Sequence, residues 1–313
     1  MSLVAIGACY VDTILSTSHY PGEDEKLRAS NIVHRRGGNC PNSLEVLQQL
    51  TFGSKTNLAL NLISVLPARS SVASQQIVSA LEPRVHLDHC IFREAYQEPA
   101  SCYIIKSQST GSRTIVNYNE LPDMTTEEFI RVTDKLGPQA TWFHFEGRTP
   151  EVLLGCIRYL RNSFRQARIS VEIEKPGREG LQELAEAADV VFYSKTWAQS
   201  MGYTSAEDCL RKQSLKTRNS SLLCCTWGQD GAAAFETRTT QFVHAEVDTA
   251  PDFQVIDPIG AGDTFNAGML YALNCKDQEW DLSTKVGFAN RIAGMKVAQE
   301  GFSGLNRALE YYD

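Results

Sequence analysis

Between residues 122 and 195 the sequence alternates, three times over, a stretch of helical periodicity with a short apolar run that ends in charged or polar residues. Helical patterns at 125–136 and 149–165 precede the runs Thr141-Trp142-Phe143-His144-Phe145 and Arg168 to Ile173, and a further helix precedes Asp189-Val190-Val191-Phe192-Tyr193. Such strands are apolar on both faces, so helices must cover the sheet on both sides, which predicts a mostly parallel central sheet in an α/β fold. The runs end in Glu146-Gly147-Arg148, Glu174-Lys175-Pro176 and Ser194-Lys195. In a parallel sheet these residues share the carboxyl edge, where ligands bind. Apolar runs at 3–9 and 56–65 read as further strands, and Ala68 to Leu81 reads as a weakly amphipathic helix. A chain of 313 residues fits one large domain, expected to span 1–313.

Charge and composition remove several classes of function. A formal net charge of −7 argues against a broad basic surface for nucleic acid. The longest apolar runs are strand-sized, so no membrane-crossing helix is expected. The first residues lack a basic region before their apolar run and read as a buried strand, not a signal peptide. Nine cysteines without a Cys-x-x-Cys pair suggest reduced thiols and a cytoplasmic location. In that setting the glycosylation-type triplet Asn219-Ser220-Ser221 carries no weight. Only one glycine of a dinucleotide fingerprint follows the first strand, and no Gly-Lys-Ser or Gly-Lys-Thr phosphate loop occurs.

The chemistry concentrates in the segment from Val255 to Gly268, read as a short strand, a turn of small residues and a helix from about Asp263 toward Leu273. Gly260 and Gly262 let the backbone turn sharply and present N–H groups at a helix start, which attracts anions. Asp263 stands at the lip of that anion site, suited to act as a general base, and the pair suggests phosphoryl transfer to a hydroxyl. A second Gly turn, Gly37-Gly38-Asn39-Cys40-Pro41-Asn42, also leads into a helix. Asn39 and Asn42, three apart, share one face of its first turn and suit hydrogen bonds to neighbouring hydroxyls. Asp12 follows the first strand, as a ligand contact or a turn residue. Strand-like runs at Ser101 to Lys106 and Arg113 to Tyr118 flank the hairpin signal Ser109-Thr110-Gly111-Ser112. Gly228 and Gly231 form a turn that either admits nucleotide or closes a hairpin, and the small residues of 286–299 either leave room for adenine or serve helix packing.

Taken together, Asp257-Pro258-Ile259-Gly260-Ala261-Gly262-Asp263, the small-residue helix after it and the upstream Gly37-Gly38-Asn39-Cys40-Pro41-Asn42 resemble the two signatures of the ribokinase-like (PfkB) carbohydrate kinase family. Trp142 to Arg148, Val171 to Pro176 and Val191 to Lys195 are similar to its ketohexokinase-like branch. The resemblance implies a ribokinase-like fold whose segments 12–36 and 97–120 form a small β-sheet lid that also joins two subunits as a homodimer. It implies an ATP-dependent sugar kinase acting on a ketohexose such as fructose at C1. The alternatives are another alcohol (ribose, a nucleoside, a modified sugar) or a non-catalytic metabolite-binding regulator on the same fold. In that scheme Asp263 is the base, and Gly260, Ala261 and Gly262 stabilise the transferred phosphoryl. Asp12, Gly38, Asn39 and Asn42 hold the sugar, and Asp24 is inserted into the partner's sugar site. Arg113 contacts both sugar and phosphates, while Thr226, Gly228, Gly231, Gly260, Gly262 and Asn290 border ATP. Glu172 and Glu174 are the candidates for Mg2+, and a K+ ion is a further expectation. The chain departs from the family pattern at Cys40, at Leu66-Pro67-Ala68-Arg69 and at Ser194-Lys195-Thr196-Trp197.

Overall fold

The computed structural model describes every residue except 55, 82, 218–220, 248–252 and 313, so two residues of the Asn219 triplet lie outside the described residues. In chain order the strands are β1 (Ser2–Ile6), β2 (Tyr10–Thr17), β3 (Asn31–Gly37), β4 (Ala59–Ile63), β5 (Val65–Pro67), β6 (Val85–His86) and β7 (Ile91–Arg93). They continue as β8 (Ser101–Ser107), β9 (Arg113–Tyr118), β10 (Ala140–Glu146), β11 (Arg168–Ile173), β12 (Val190–Tyr193), β13 (Leu222–Thr226), β14 (Ala232–Glu236) and β15 (Gln241–Ala245). The helices are α1 (Asn39–Gly53), α2 (Val72–Leu81), α3 (Thr126–Thr133), α4 (Pro150–Ser163) and α5 (Leu181–Ala187). After them come α6 (Lys195–Ser200), α7 (Ala206–Ser214), α8 (Ala261–Cys275) and α9 (Leu282–Val297).

Nine strands form one sheet in the order β15-β14-β13-β12-β11-β10-β1-β4-β6, parallel from β13 to β6. The antiparallel pairs β13–β14 and β14–β15 finish one edge, so the Gly228–Gly231 turn is the bend of a hairpin. Side chains alternate across the sheet with the period of two that strands impose. Leu3, Ala5, Trp142 and Cys224 join a core with α1, α8 and α9, while Val4, Ile6, Phe143 and Cys225 join the core under α3 to α7. The vicinal Cys224 and Cys225 therefore point to opposite faces, both buried. β2, β3, β8 and β9 form a separate four-stranded sheet in the order β3-β2-β8-β9, as the strand-like runs around 12–36 and 101–118 predicted.

Two local expectations need correction. Val255 and Ile256 belong to no strand: they are exposed, at 63% and 44%, and the Ile256 and Asp257 N–H groups both donate to the Val297 carbonyl at the end of α9. An apolar pair becomes a strand only where a neighbour can complete its ladder, and here the α9 carbonyl takes those donors. The helix expected at Ala68 to Leu81 starts later, at Val72, because Val65–Pro67 is extended and pairs with β7. That pairing accounts for the unusual Leu66-Pro67-Ala68-Arg69 run, in which Leu66 is wholly buried.

Candidate active site

The chain runs from β1 out to β4 and β6, then returns to lay β10 on the other side of β1. This reversal opens a crevice at the carboxyl ends of β1 and β10, the place where α/β sheets take ligands. Glu146, the last residue of β10, spans it by accepting a hydrogen bond from the Ala8 N–H at 2.9 Å. A cavity of about 430 Å³ lies above, roofed by the four-stranded sheet and lined by Asp12, Asn39, Asn42, Glu174, Arg113 and Asp263 among others.

Asp263 stands in the first turn of α8, whose N-cap Gly260 has φ +83°. A Cβ at Gly260 would come within 2.5 Å of the Phe302 ring, so the turn demands glycine on both counts. The turn is anchored by Asp257, whose Oδ1 accepts from the Ile259 N–H at 3.0 Å. Lys296, wholly buried, donates to both the carbonyl and Oδ2 of Asp257 at 2.9 Å, and Arg35 donates to the same Oδ2 at 3.1 Å. These contacts hold the Asp257 carboxyl below the usual range although burial alone would raise it. The Asp263 main chain is fixed by Ser43 Oγ at 3.0 Å, and its Oδ2 accepts from Asn42 Nδ2 at 2.7 Å. Burial, followed by the repulsion of Glu172, pushes the Asp263 carboxyl well above its ordinary value; Asn42 only partly offsets this.

Asn39 and Asn42 do share one face of the first turn of α1, but both amides already serve carboxylates. Asn39 Nδ2 donates to Glu172 at 2.8 Å and to Glu174 at 2.9 Å. Glu172 also accepts from His144 Nε2 at 2.9 Å and Asn266 Nδ2 at 3.1 Å. Burial raises its carboxyl, and these donors, His144 first, outweigh that and leave it below the usual range. Glu172 thus accepts three side-chain donors, whereas Glu174, less buried, accepts only from Asn39 among the described side chains and has more room for a further partner. Gly38 has φ +105°, and a Cβ there would meet the Ala8 carbonyl oxygen at 2.1 Å, so this turn is also restricted to glycine. Cys40 fits the helix start: its Sγ donates to the Ile6 carbonyl at 3.3 Å in full burial.

Asp12, on β2, is 6% exposed, and burial raises its carboxyl while Arg35, at 3.7 Å, pulls it back. Arg113 lines the cavity from the start of β9. Asp24 does not join this cavity; it is exposed in the loop between β2 and β3 with φ +60°. A second cavity of about 530 Å³ adjoins the first across Thr226, Ala261 and Gly262, with Gly228, Gly231 and Asn290 in its wall. The Asn290 side chain donates to the Glu246 carbonyl at 2.8 Å, and Ala293, Gly294 and Val297 of α9 give the cavity an apolar floor. The small residues of α9 divide: Ala293 and Gly294 line this cavity, while Ala289 packs against Gly268 of α8. At Ser194-Lys195-Thr196-Trp197 the structure has an ordinary helix cap, with Ser194 Oγ accepting from the Trp197 N–H at 3.0 Å.

Sequence reasoning gave no role to His144, Asn266, Lys296 or the Arg35-Arg36 pair. His144 and Glu146 had a signal, two polar residues at period two inside an apolar strand. Lys296 had none, since a lysine between Met295 and Val297 reads as an ordinary helix residue. The arrangement can deprotonate a hydroxyl at Asp263 beside a helix start that receives negative charge, with an elongated cavity continuing past it. The pfkB family carbohydrate kinase model matches residues 1–308. Mouse ketohexokinase is 30% identical over 310 residues, covering 97% of this chain and 98% of the mouse protein. Ribokinase from Giardia lamblia superimposes with a TM-score of 0.78 at 15% identity, covering 100% of this chain and 99% of that one. Arabidopsis thaliana ribokinase complexed with ribose and ATP gives 0.76 at 17% identity, covering 99% and 97%. The chain therefore belongs to the pfkB family of carbohydrate kinases and is an ATP-dependent sugar kinase with a ribokinase-like α/β fold.

Proposed function

We propose that this enzyme transfers the γ-phosphoryl of ATP to the C1 hydroxyl of a ketohexose, with fructose giving fructose 1-phosphate. The observation that carries the substrate class is the 30% identity to mouse ketohexokinase along almost the full length of both chains. In this reading the sugar occupies the cavity over Asp12, Gly38, Asn39 and Asn42, and its reacting hydroxyl faces Asp263. ATP lies in the adjoining cavity, its adenine on the apolar floor from α9 and its phosphates toward Gly260, Ala261 and Gly262. Asp263 takes the hydroxyl proton as the oxygen attacks the γ-phosphorus. The first-turn N–H groups of α8 and the Arg113 guanidinium oppose the charge gathering on the phosphoryl oxygens. Magnesium fits the donor set, since Glu174 at the rim, with Glu172 behind it, can take a hydrated hard cation and so neutralise phosphate charge. The carbonyl and Oδ2 of Asp257 beside the anion turn are held by the Lys296 ammonium and its Oδ1 by the Ile259 N–H, so no step here uses a potassium ion.

The four-stranded sheet acts as a lid and joins two copies into a homodimer, with Asp24 of each reaching the other's sugar. Its outward face supports this: Tyr103 and Val116 are paired across β8 and β9, and together with Ile32 they are 51%, 60% and 53% exposed. Apolar side chains gathered on one sheet face mark an association surface. The nine cysteines, all free, suit a cytoplasmic location.

The test is a panel of ketohexoses, aldohexoses, ribose and nucleosides with Mg-ATP, read by ADP release and by the position of the phosphate on the product. Fructose should lead the panel and give the 1-phosphate; ribose or a nucleoside leading it would overturn the substrate assignment.

A further inference from the structure

We propose that Arg36 is a positioning residue for the general base, holding the Asn42 amide in the one orientation that donates a hydrogen bond to Asp263. The inference deepens the reading of Asp263 as base and rests on it.

A carboxamide has an accepting end and a donating end of nearly the same shape, and a half-turn about its last bond exchanges them. Only its neighbours decide which end points where. Asn42 lies between Arg36 NH1, 3.0 Å from Oδ1, and Asp263 Oδ2, 2.7 Å from Nδ2. A guanidinium can only donate, so Arg36 must face the oxygen, and the NH₂ group must then face Asp263. Arg36 itself has little freedom. Its side chain is 5% exposed and its NH2 is ion-paired with Glu45, which lies on α1 one turn beyond Asn42. Arg35 and Arg36 are neighbours on β3 and point to opposite sides, so Arg35 serves Asp257 and Asp12 while Arg36 serves the helix.

The consequence for chemistry is specific. With Oδ2 held by Asn42, the other oxygen of Asp263 is left to take the sugar proton. Asp263 is faced by Glu172 on β11, Glu174 just past its end and Glu146 on β10, all of which favour its protonated form; Asn42 from α1 is the hydrogen-bond donor opposing them. Without Arg36, a half-turn of the amide would let its oxygen accept the O–H of a protonated Asp263, so that Asn42 would favour the protonated form instead of opposing it.

The experiment compares Arg36→Met, Arg36→Lys and Glu45→Gln in the full chain, with folding checked by thermal melting and ATP binding by calorimetry. In Arg36→Met, kcat should fall about tenfold or more, the scale expected for a misaligned reactive group, with the sugar KM changing less. The acid limb of kcat/KM should move to higher pH, Arg36→Lys should restore part of both effects, and Glu45→Gln should move them slightly in the same direction. The ¹³Cγ resonance of Asp263 should titrate at higher pH in Arg36→Met, a readout independent of which sugar is the substrate. A folded Arg36→Met with an unmoved Asp263 titration would overturn the proposal; should Arg36→Met not fold, an unmoved titration in both Arg36→Lys and Glu45→Gln would do so. Full turnover by Asp263→Asn would instead overturn the base assignment beneath it.

Discussion

At the scale of single residues, Asp263 is costly to the fold. Its carboxyl is buried beside Glu172, so in the native state it holds its proton to higher pH than in the unfolded chain. Above the ordinary carboxylate range the unfolded chain has lost this proton while the folded one keeps it. Stability from this group is therefore greatest in acid and falls as pH rises through the raised native value. Catalysis by Asp263 as the proposed base has the opposite sign, because a base works only when deprotonated. Asp263→Asn should thus lower kcat by about 10²–10⁴-fold while raising the melting temperature at pH 8 more than at pH 5. Paired turnover and melting curves check both, and a variant that melts lower at pH 8 would contradict the electrostatic account. Asp263 was legible from its motif, but its partners were not. Asn42 could be placed on the right face of α1 from spacing alone, yet nothing local says that its amide faces a carboxylate far along the chain.

At the scale of elements, the site depends on how closely α8 lies against α9. Gly268 makes that approach possible: a Cβ there would fall 2.7 Å from the Ala289 Cα and 2.7 Å from the Ile292 Cδ1. Gly268→Val should cost about 1–3 kcal/mol through overpacking, seen as a lower urea midpoint with an unchanged slope. Because α8 carries Asp263 and α9 carries the apolar floor of the second cavity, the same variant should weaken ATP binding. The strand and helix sequence from 125 to 193 was legible because each strand is buried on both faces and carries that signal locally. Val255-Ile256 misled for the converse reason: two apolar residues fix no conformation until the ends of other elements offer hydrogen bonds. The β5–β7 pair was equally hidden, since its partners are short and their pairing is decided by the neighbouring chain.

At the scale of the whole molecule, the prediction concerns association. Val116→Asp places a charge on the apolar outer face of the four-stranded sheet, on edge strand β9 opposite Tyr103. Light scattering should show the protein as a dimer and Val116→Asp as a monomer. If Asp24 serves the partner's sugar site, Asp24→Ala should raise the sugar KM in the dimer. The Val116→Asp monomer should show the same rise, and Asp24→Ala should add nothing further to it. A monomeric wild-type chain would remove both the dimer and the Asp24 role.

What the sequence determined by itself was what short-range chemistry can specify. Burial periodicity gave the parallel sheet and its helices, and glycines at Gly38 and Gly260 gave turns that no other residue tolerates. Spacing put Asp263 at a helix start. What only the tertiary structure decided was which side chains meet. The reversal between β1 and β10 brings Ala8 to Glu146, α1 brings Asn42 to Asp263, and the end of α9 brings Lys296 under the anion turn. Each joins residues far apart in the chain, and the energy of a buried charge depends on those neighbours rather than on its own sequence context. The proposed base could therefore be singled out from one motif, whereas its protonation and the hydrogen bonds that hold it are properties of the assembled crevice.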